Sequence, residues 1–313
     1  MISRYPLVSV GIPTYNRPDG LKRTLECISG QTYTNLEIIV SDNCSPGYET
    51  TRIINSYIKK DNRIRYYKQE KNMGMAYNSR FVLEKASADF FMWATDDDEW
   101  YPTYIEKCMS QLTKNSDVVA CTSKWIICKE GRNENLFSTK YWRCFEDLHT
   151  NGLTSIKRIK KYILNSGTSA TFGIYRVSIL KKVLMNLSDT VNMVGADRFI
   201  GSRLNIIGPV IQIPEYLFVY HHGEGAGINP AISNNNFSKM EIIGLKINPL
   251  LVAYLNMIID SLSWPVSITD HIRVIGYYFA RMAKAKFMRY TMITPFVGTP
   301  IYDYKPPEYP GDK

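Results

Sequence analysis

Three consecutive carboxylates, Asp96-Asp97-Asp98, follow the apolar segment Phe90–Ala94 after one intervening residue. Adjacent carboxylates repel one another unless a cation or solvent compensates their charge. Asp96 and Asp98 can face one side and hold a divalent cation, which in turn binds phosphate oxygens. The simpler interpretation is a solvated acidic turn that caps a helix starting near Tyr101. We favour the cation site because a buried strand precedes the run and the net charge of +9 suits anionic ligands.

Polar side chains also follow three other strand-like segments in the first hundred residues. The clusters are Pro13-Thr14-Tyr15-Asn16, Asp42-Asn43-Cys44-Ser45 and Asn72-Met73-Gly74. Each has a local explanation, such as a helix cap at Asn16 or an Asx-turn at Asp42. In an open α/β sheet, however, ligands bind outside the carboxyl ends of the strands. Four such clusters at one edge therefore predict a single ligand site.

Alternating strand and helix signals place these clusters on a sheet. Apolar runs predict strands at Leu7–Ile12, Leu36–Val40 and Phe90–Ala94, with a weaker candidate at Ile64–Lys68. Between them, apolar residues recur at helical spacing, in the groups Leu21, Leu25 and Ile28; Ile53, Ile54, Tyr57 and Ile58; and Met75, Val82 and Ala86. This alternation predicts a mainly parallel sheet with helices on both faces.

The rest of the chain is less regular. A helix is predicted near Tyr104–Leu112, and strands at Val118–Thr122 and Val210–Ile213, the last ending before Pro214. Glycines from Gly223 onward and a run of three asparagines predict a loop. Two helical stretches follow, near Leu250–Leu262 and Ile272–Tyr290.

The ordered motifs together resemble those of the family 2 inverting glycosyltransferases. These motifs are Pro13-Thr14-Tyr15-Asn16-Arg17, Asp42-Asn43-x-Ser45, Asn72-x-Gly74 with Asn78, and Asp96-Asp97-Asp98. The combination is specific, although no single motif is, and it covers about residues 5 to 225. The resemblance implies an α/β fold of the GT-A type, a mainly parallel central sheet flanked by helices, here with a helical C-terminal extension. It divides the chain into a nucleotide-sugar-binding half (1–100), an acceptor-binding half of the same domain (101–225) and a loop with a helical extension (226–313).

The resemblance also implies roles for individual residues. Nucleotide binding would fall to Pro13, Thr14, Tyr15, Asn16, Arg17, Asp42, Asn72, Gly74, Asn78, Asp96 and Asp97. A Mn²⁺ or Mg²⁺ ion would be held by Asp98, with Asp96 and His222 as further candidates. For His222, which resembles a strand-end histidine of the family, a solvated surface position is the alternative.

Asp197 is the candidate catalytic base. The segment Gly195-Ala196-Asp197, with Arg203-Leu204 downstream, is similar to the family's acidic segment that opens a helix and supplies this base. The family usually has Glu-Asp where this chain has Ala196-Asp197. It often has an aspartate where this chain has Thr95. These two departures bear on the identity of the donor. A charge at a helix N-terminus is the alternative for Asp197, and Asp189 is its main competitor.

By resemblance, the implied reaction moves a sugar, with inversion, from a nucleotide-diphosphate sugar to a hydroxyl of a glycan or lipid-linked saccharide. A UDP-sugar is favoured because Asp42 can accept a hydrogen bond from the imide N–H of uracil. The alternatives are a nucleotide- or carbohydrate-binding relative that has lost turnover, and a sugar nucleotidyltransferase, which usually carries a glycine-rich first loop. No Gln-x-x-Arg-Trp segment follows Asp197, which argues against a processive synthase.

The remaining features bear on partners and compartment. Neither a dinucleotide-binding glycine motif after the first strand, nor a P-loop, nor a nucleic-acid recognition motif is found in the sequence. The six cysteines lack metal-site spacing and predict a reducing compartment. The start of the chain leaves no room for a signal peptide before the first strand. We therefore expect a cytoplasmic protein or one peripheral on the inner membrane face, with a homo-oligomer left open.

The last helical stretch is a candidate membrane contact. Its apolar residues share one face of a helix, and its basic residues share another: Ile272, Ile275, Phe279 and Met282 against Arg273, Arg281 and Lys284. A basic amphipathic helix of this kind can dock on anionic lipid. The alternative is a helix that packs on the domain and leaves its basic face in solvent.

Overall fold

The computed structural model describes residues 5–129, 141–144, 147–165, 172–185, 196–222, 240–242, 245–247, 249–290 and 300–301. Within these ranges, ten strands form one sheet and two more form a separate hairpin.

Four parallel strands in the order β3-β2-β1-β4 form one side of the sheet. Their bounds are Val8–Thr14 for β1, Leu36–Asp42 for β2, Ile64–Lys68 for β3 and Phe90–Trp93 for β4. The predicted strands are thereby confirmed, but β1 and β2 each run two residues further than the apolar patterns. Their polar ends stay in the sheet because Pro13 pairs with Ser41 and Thr14 with Asp42.

Helices connect these strands and cover the sheet. They are α1 (Pro18–Ser29), α2 (Glu49–Ile58) and α3 (Met75–Glu84), and α4 (Tyr104–Lys114) follows β5 (Glu99–Trp100). Helix α1 begins at Pro18, whose missing N–H costs nothing in a first turn. Its Leu21, Leu25 and Ile28 are completely buried, and each contributes about 1.5–3 kcal/mol relative to an exposed side chain. The periodicity of α1 therefore marks a core face. Ile54 of α2 and Val82 of α3 are completely buried too, but Met75 is 38% exposed and Ala86 lies beyond the end of α3, so the predicted face of α3 is wrong at these two positions.

The second half of the sheet mixes strand directions. Its strands are β6 (Ala120–Lys129), β7 (Tyr141–Arg143), β8 (Ile174–Arg176), β9 (Val210–His222) and β12 (Pro300–Ile301). Strand β8 lies antiparallel between β4 and β6, and β9 runs parallel to β6. The first four strands, β6 and β9 thus share one direction, and the sheet is mostly parallel.

The prediction that the strand beginning at Val210 stops before Pro214 is wrong. Ile213 pairs with Ser123, and the next pair joins Tyr216 to Lys124, so a bulge skips Pro214. Proline lacks the N–H that a ladder requires, and a bulge removes that requirement. The strand therefore continues as far as His222.

Helices of the C-terminal half pack beside the sheet. They are α5 (Ser155–Asn165), α6 (Val177–Leu184), α7 (Ala196–Ile207), α8 (Pro249–Ser261) and α9 (Ile268–Tyr290), and the hairpin strands are β10 (Met240–Ile242) and β11 (Leu245–Ile247). The predicted helical extension is thereby confirmed. In the described ranges, no helix combines the length and apolar character needed to cross a bilayer.

The predicted faces of α9 need correction. Arg281 is buried, only 6% exposed, and its Nη1 donates to the carbonyl oxygen of Leu164 at 3.4 Å. The helix packs instead through Val274 and Tyr278, and leaves Phe279 and other apolar residues exposed. Arg281 therefore does not belong to a solvated basic face, because α5 supplies a carbonyl partner for it. The side chain of Lys284 lies outside the described part of the chain.

Candidate active site

Three of the polar clusters meet where β1, β2 and β4 end. The backbone N–H of Asn43 donates to the carbonyl of Thr14 at 2.9 Å, which joins the ends of β1 and β2. The Thr14 hydroxyl donates to Oδ2 of Asp96 at 2.8 Å, which joins β1 to the loop after β4. We call Thr95–Asp98 the acidic loop. The carboxyl edge of the sheet thus brings the first, second and acidic clusters together.

Asp96 is held by the segment that follows β1. Besides the Thr14 hydroxyl, its Oδ2 accepts the backbone N–H of Tyr15 at 3.3 Å, and its Oδ1 accepts Nη1 of Arg17 at 3.2 Å. Burial raises the pKa of Asp96 to about 6, against the opposing effect of Arg17. Its ionised form therefore depends on the hydrogen bonds and the guanidinium that surround it.

Asp98 points to a different part of the fold. It is completely buried, its Oδ1 accepts the backbone N–H of His221 at 2.9 Å, and its Oδ2 accepts the hydroxyl of Thr95. Burial, followed by repulsion from Asp97, raises the pKa of Asp98 above its ordinary value. Asp98 thus faces β9, whereas Asp96 faces the segment after β1.

This arrangement does not fit a cation shared by Asp96 and Asp98. Their oxygens accept hydrogen bonds from separate elements and do not converge. Over the described residues, no group of three or more His, Cys, Asp or Glu side chains is placed to hold a metal ion. The side chain of His222, the third candidate, lies outside the described part.

Helix α1 contacts the backbone of the acidic loop. The Thr24 hydroxyl lies 2.9 Å from the carbonyl oxygen of Thr95 and 3.2 Å from that of Asp98. Nη2 of Arg23 donates to the carbonyl of Asp97 at 2.6 Å. A β-carbon at Gly20 would collide with the carbonyl oxygen of Asp96. Sequence reasoning missed these positions, although a glycine in the first turns of a helix costs about 1 kcal/mol and is a usable signal.

Asp42 is the last residue of β2. It is completely buried, its Oδ1 accepts the backbone N–H of Ser45 at 2.8 Å, and its Oδ2 accepts the hydroxyl of Tyr66 at 3.3 Å. The local turn that sequence analysis offered as the alternative is therefore present. The turn uses Oδ1 of Asp42 as its acceptor, and a contact between Asp42 and a nucleotide base stays a prediction.

The Asn72 segment is tied to the second cluster. Nδ2 of Asn43 donates to Oδ1 of Asn72 at 2.8 Å, and Oδ1 of Asn43 accepts the backbone N–H of Met73 at 2.9 Å. Gly74, with φ of 86°, then turns the chain into α3, a conformation that glycine adopts without strain. All four predicted clusters therefore belong to one connected edge.

Asn78 and Asn16 support the backbone around this edge. Asn78 is buried, and its amide accepts the hydroxyl of Ser41 at 2.6 Å and donates to the Ser41 carbonyl at 2.8 Å. Asn16 adopts a left-handed φ of 53°, and its N–H donates to Oγ of Ser45 at 2.8 Å. In this structure the side chain of Asn78 and the backbone of Asn16 bind other parts of the protein, whereas Tyr15 is 37% exposed at the rim.

The end of β9 carries a buried ion pair that sequence analysis did not assign. Nε2 of His221 lies 2.8 Å from Oε1 of Glu99, whose carboxylate is also 3.5 Å from Nε of Arg23. Burial lowers the pKa of His221, but hydrogen bonds to Cys128 and Glu99 outweigh it and raise the pKa to about 10. The imidazolium therefore anchors β9 next to the acidic loop.

Asp197 lies near the start of a helix, as the sequence predicted. Helix α7 begins at Ala196, one residue before it. Its carboxyl group lies outside the described part of the chain, as does Asp189. The assignment of the base thus remains a prediction.

Comparisons with known proteins bear on the family and the fold of this chain. The sequence model of glycosyl transferase family 2 matches residues 9–184. The chain is 33% identical over 133 residues to the uncharacterized glycosyltransferase RC0461 of Rickettsia conorii, across 41% of this chain and 21% of that protein. It is 28% identical over 184 residues to the GalNAc(5)-diNAcBac-PP-undecaprenol beta-1,3-glucosyltransferase of Campylobacter jejuni, across 58% of this chain and 55% of that protein. The chain thus spans about a fifth of the first relative and about half of the second.

The fold is also found in a solved structure. TarS 1–349 of S. aureus, in complex with UDP-GlcNAc, superposes with a TM-score of 0.60 at 15% identity, covering 88% of this chain and 72% of that one. At this identity the likeness shows the GT-A fold alone. The family model, however, covers more than half of the chain, so the chain belongs to glycosyl transferase family 2.

Proposed function

We propose that this protein transfers a sugar from a nucleotide-diphosphate sugar, preferably a UDP-sugar, to an acceptor hydroxyl with inversion at the anomeric carbon. The observation that carries this proposal is the meeting of Thr14, Asp42 and the acidic loop at one carboxyl edge of the sheet. Ligands of open α/β sheets bind at this edge. Membership of the family supports a sugar donor as the ligand.

The donor would lie along the edge from β2 to β4. Asp42 would accept the imide N–H of the base, and the Asn72–Gly74 segment would flank the ribose and phosphates. Exposed Tyr15 and partly exposed Arg17 border the same edge from the β1 side. Residues 1–100 would thus bind the donor, and residues 101–225 would bind the acceptor.

Asp197 would act as the general base. As the acceptor oxygen forms its bond to the anomeric carbon, the bond from that carbon to the diphosphate breaks and the nucleoside diphosphate leaves. The hydroxyl proton passes to the Asp197 carboxylate. A positioned base of this kind contributes a factor of about 10²–10⁴. The first turn of α7 favours the ionised form of a carboxylate.

We further propose a requirement for Mn²⁺ or Mg²⁺. When bound, such an ion neutralises charge on a departing diphosphate. Asp98 would be its main ligand, but its buried carboxyl would have to turn from Thr95 and His221 towards the donor. Loss of activity in excess chelator, restored by Mn²⁺, tests this requirement.

The acceptor is proposed to be a glycan or a lipid-linked saccharide at the inner face of a membrane. The Campylobacter jejuni relative is named for an undecaprenol-linked acceptor. Helix α9 supports membrane contact in a form different from the one expected, because its exposed residues include Ile268 at 82%, Ile272 at 64% and Phe279 at 53%. Binding of α9 to a membrane would then depend more on its exposed apolar side chains than on its basic charge.

Labelled nucleotide sugars provide the test. The full chain is incubated with each donor and with a fraction of lipid-linked saccharides, and labelled product and free nucleoside diphosphate are measured together. We expect one UDP-sugar to give both in equal amounts. Binding without product would indicate a relative that has lost turnover, and formation of sugar phosphate with a nucleoside triphosphate from added pyrophosphate would indicate a nucleotidyltransferase.

A further inference from the structure

Helix α7, which carries Asp197, lies between the sheet and the last two helices. Its Ile200 and Leu204 belong to a buried core that includes residues of β6 and β9. Its Phe199 belongs to a different core, together with Tyr254 and other residues of α8 and α9. We call α8 and α9 the C-terminal helix pair. One side of α7 therefore packs on the sheet, and another packs on the C-terminal helix pair.

A buried ion pair joins α7 to α8. Nη2 of Arg203 donates to Oδ1 of Asp260 at 2.5 Å, and Nε donates to Oδ2 at 3.1 Å. The two side chains are only 17% and 11% exposed. Nη1 of Arg203 also donates to the carbonyl oxygens of Val183 and Met185 at the end of α6, at 2.6 and 2.9 Å. Because a two-pronged pair fixes direction as well as distance, Arg203 holds α7 against α6 and α8 together.

Two further contacts tie the same helix to the C-terminal helix pair. The buried hydroxyl of Tyr278 donates to Oγ of Ser202 at 3.1 Å. Nη1 of Arg198 donates to the hydroxyl of Tyr254 at 3.4 Å, and the guanidinium lies 5.6 Å from the centre of the Tyr254 ring. These contacts and the ion pair all lie within about two turns of Asp197. A shift or rotation of α7 would therefore break polar contacts at several positions.

A helix that carries a catalytic base must hold it in a fixed place, because a displacement of about 1 Å can lower a rate about a hundredfold. We infer that the C-terminal helix pair is part of the transfer machinery, and that Asp260 is a positioning residue that acts through Arg203 on α7 and Asp197. This inference rests on the proposed function, in which Asp197 is the base. The helix pair lies beyond residues 9–184, which the family model matches, so it concerns a part of the chain that the model does not describe.

Asp260→Asn tests the inference, because it keeps the shape of the side chain and removes its charge. With the UDP-sugar that supports transfer, we expect kcat at saturating donor and acceptor to fall by a factor of about 10–100. The KM for the donor and the calorimetric affinity for UDP should stay unchanged, because the donor edge lies in residues 1–100.

Asp61→Asn is the matched control. Nε and Nη2 of Arg63 donate to the two carboxylate oxygens of Asp61 at 2.9 and 2.7 Å, and these side chains are 23% and 10% exposed. This pair precedes β3 and so lies at the end of the sheet opposite the candidate site. Loss of one partner of a buried ion pair destabilises a protein, and we expect both variants to lose free energy of unfolding in urea. Only Asp260→Asn should lose kcat.

A second substitution identifies the route. In an Arg203→Gln background, Asp260→Asn should cause no further loss of kcat, because two residues that act through one contact are not additive. Asp260 also accepts Nε1–H of Trp264 at 3.1 Å, and Trp264→Phe, which removes that donor, should keep most of the natural rate. A full additional loss in the Arg203→Gln background would overturn the route through Arg203.

Amide hydrogen exchange, followed by mass spectrometry, tests the same contact without turnover. Exchange in α7 should be faster in Asp260→Asn than in the natural protein, and unchanged in Asp61→Asn. If Asp260→Asn does not fold, Tyr278→Phe is the milder variant, because it removes only the hydroxyl bound to Ser202. It should also speed exchange in α7 and lower kcat.

Natural kcat in folded Asp260→Asn, or in Tyr278→Phe where Asp260→Asn does not fold, would overturn the inference. An equal loss of kcat in Asp61→Asn would also overturn it, since general destabilisation would then explain both. If the natural protein transfers no sugar, the proposed function is refuted, and the exchange measurement still decides whether Asp260 holds α7. Unchanged exchange in α7 of an active enzyme refutes the inference alone.

Discussion

The hydroxyl oxygen of Thr24 lies 2.9 Å from the carbonyl oxygen of Thr95, so helix α1 holds the acidic loop through its backbone. The carbonyl oxygen of Asp98, 3.2 Å away, is the second acceptor within reach of the same hydroxyl. These contacts hold backbone atoms of the acidic loop rather than its carboxylate groups.

Thr24→Val should remove that support with little change in volume. The acidic loop loses the one hydroxyl donor that its two carbonyl oxygens share, a change that costs about 1–3 kcal/mol when no other donor replaces it. We expect a lower free energy of unfolding in urea and weaker UDP binding by titration calorimetry. Thr24→Ser restores the hydroxyl and should recover both. Natural affinity for UDP in a destabilised Thr24→Val variant would show that the contact serves stability alone.

Gly20→Ala tests how closely α1 approaches the loop. Alanine normally stabilises a helix by about 1 kcal/mol relative to glycine, but here its β-carbon would meet the carbonyl oxygen of Asp96. We expect a net loss of about 1–3 kcal/mol, as for other crowded sites. Gly276→Ala on α9 is the matched control, because nothing lies within 4 Å of its added carbon. Equal stabilisation of both variants in urea unfolding would contradict the close approach.

Asp42→Asn tests recognition of the base. The amide oxygen of asparagine can still accept the backbone N–H of Ser45, so the turn at 42–45 should survive. Binding of UDP should weaken by about 1–3 kcal/mol, because an acceptor facing the imide is replaced by a donor. Tyr66→Phe removes only the hydroxyl that donates to Asp42 and should have a smaller effect. Unchanged calorimetric affinity of Asp42→Asn would leave Asp42 as a turn residue.

Ile272→Ser combined with Phe279→Ser tests the membrane contact. Both side chains are more than half exposed on α9, so the substitution should leave the fold stable while it removes apolar surface. In vesicle sedimentation, we expect the natural protein to bind acidic lipid and the double variant to bind several-fold more weakly. No binding of the natural protein at low salt would favour the alternative in which α9 serves only its own domain.

The sheet was predictable from sequence to a useful degree. Strands such as Leu36–Asp42 are largely buried, so apolar residues are frequent in them and local composition reveals most of their length. The convergence of the polar clusters followed from the rule that parallel strands place their carboxyl ends at one edge. The proximity of the polar strand ends was therefore predictable from the sequence.

The partners of individual side chains were not predictable. Asp96 and Asp98 are two residues apart, yet one faces the segment after β1 and the other faces β9, because their directions depend on contacts distant in sequence. Arginine is usually exposed to solvent, so the sequence did not predict that Arg281 would be buried. Its burial is explained by α5, which approaches it and supplies a carbonyl acceptor. Pro214 ended a predicted strand because a bulge cannot be read from one strand alone.

The rate of sugar transfer by Asp197→Asn is the most direct test of the account. The variant keeps the shape of the side chain but cannot accept the acceptor proton, so transfer should fall by a factor of about 10²–10⁴, with donor binding unchanged. Asp189→Asn is the control, and it should lower the rate of sugar transfer only slightly. An Asp197→Asn enzyme that transfers sugar at the natural rate would contradict the account.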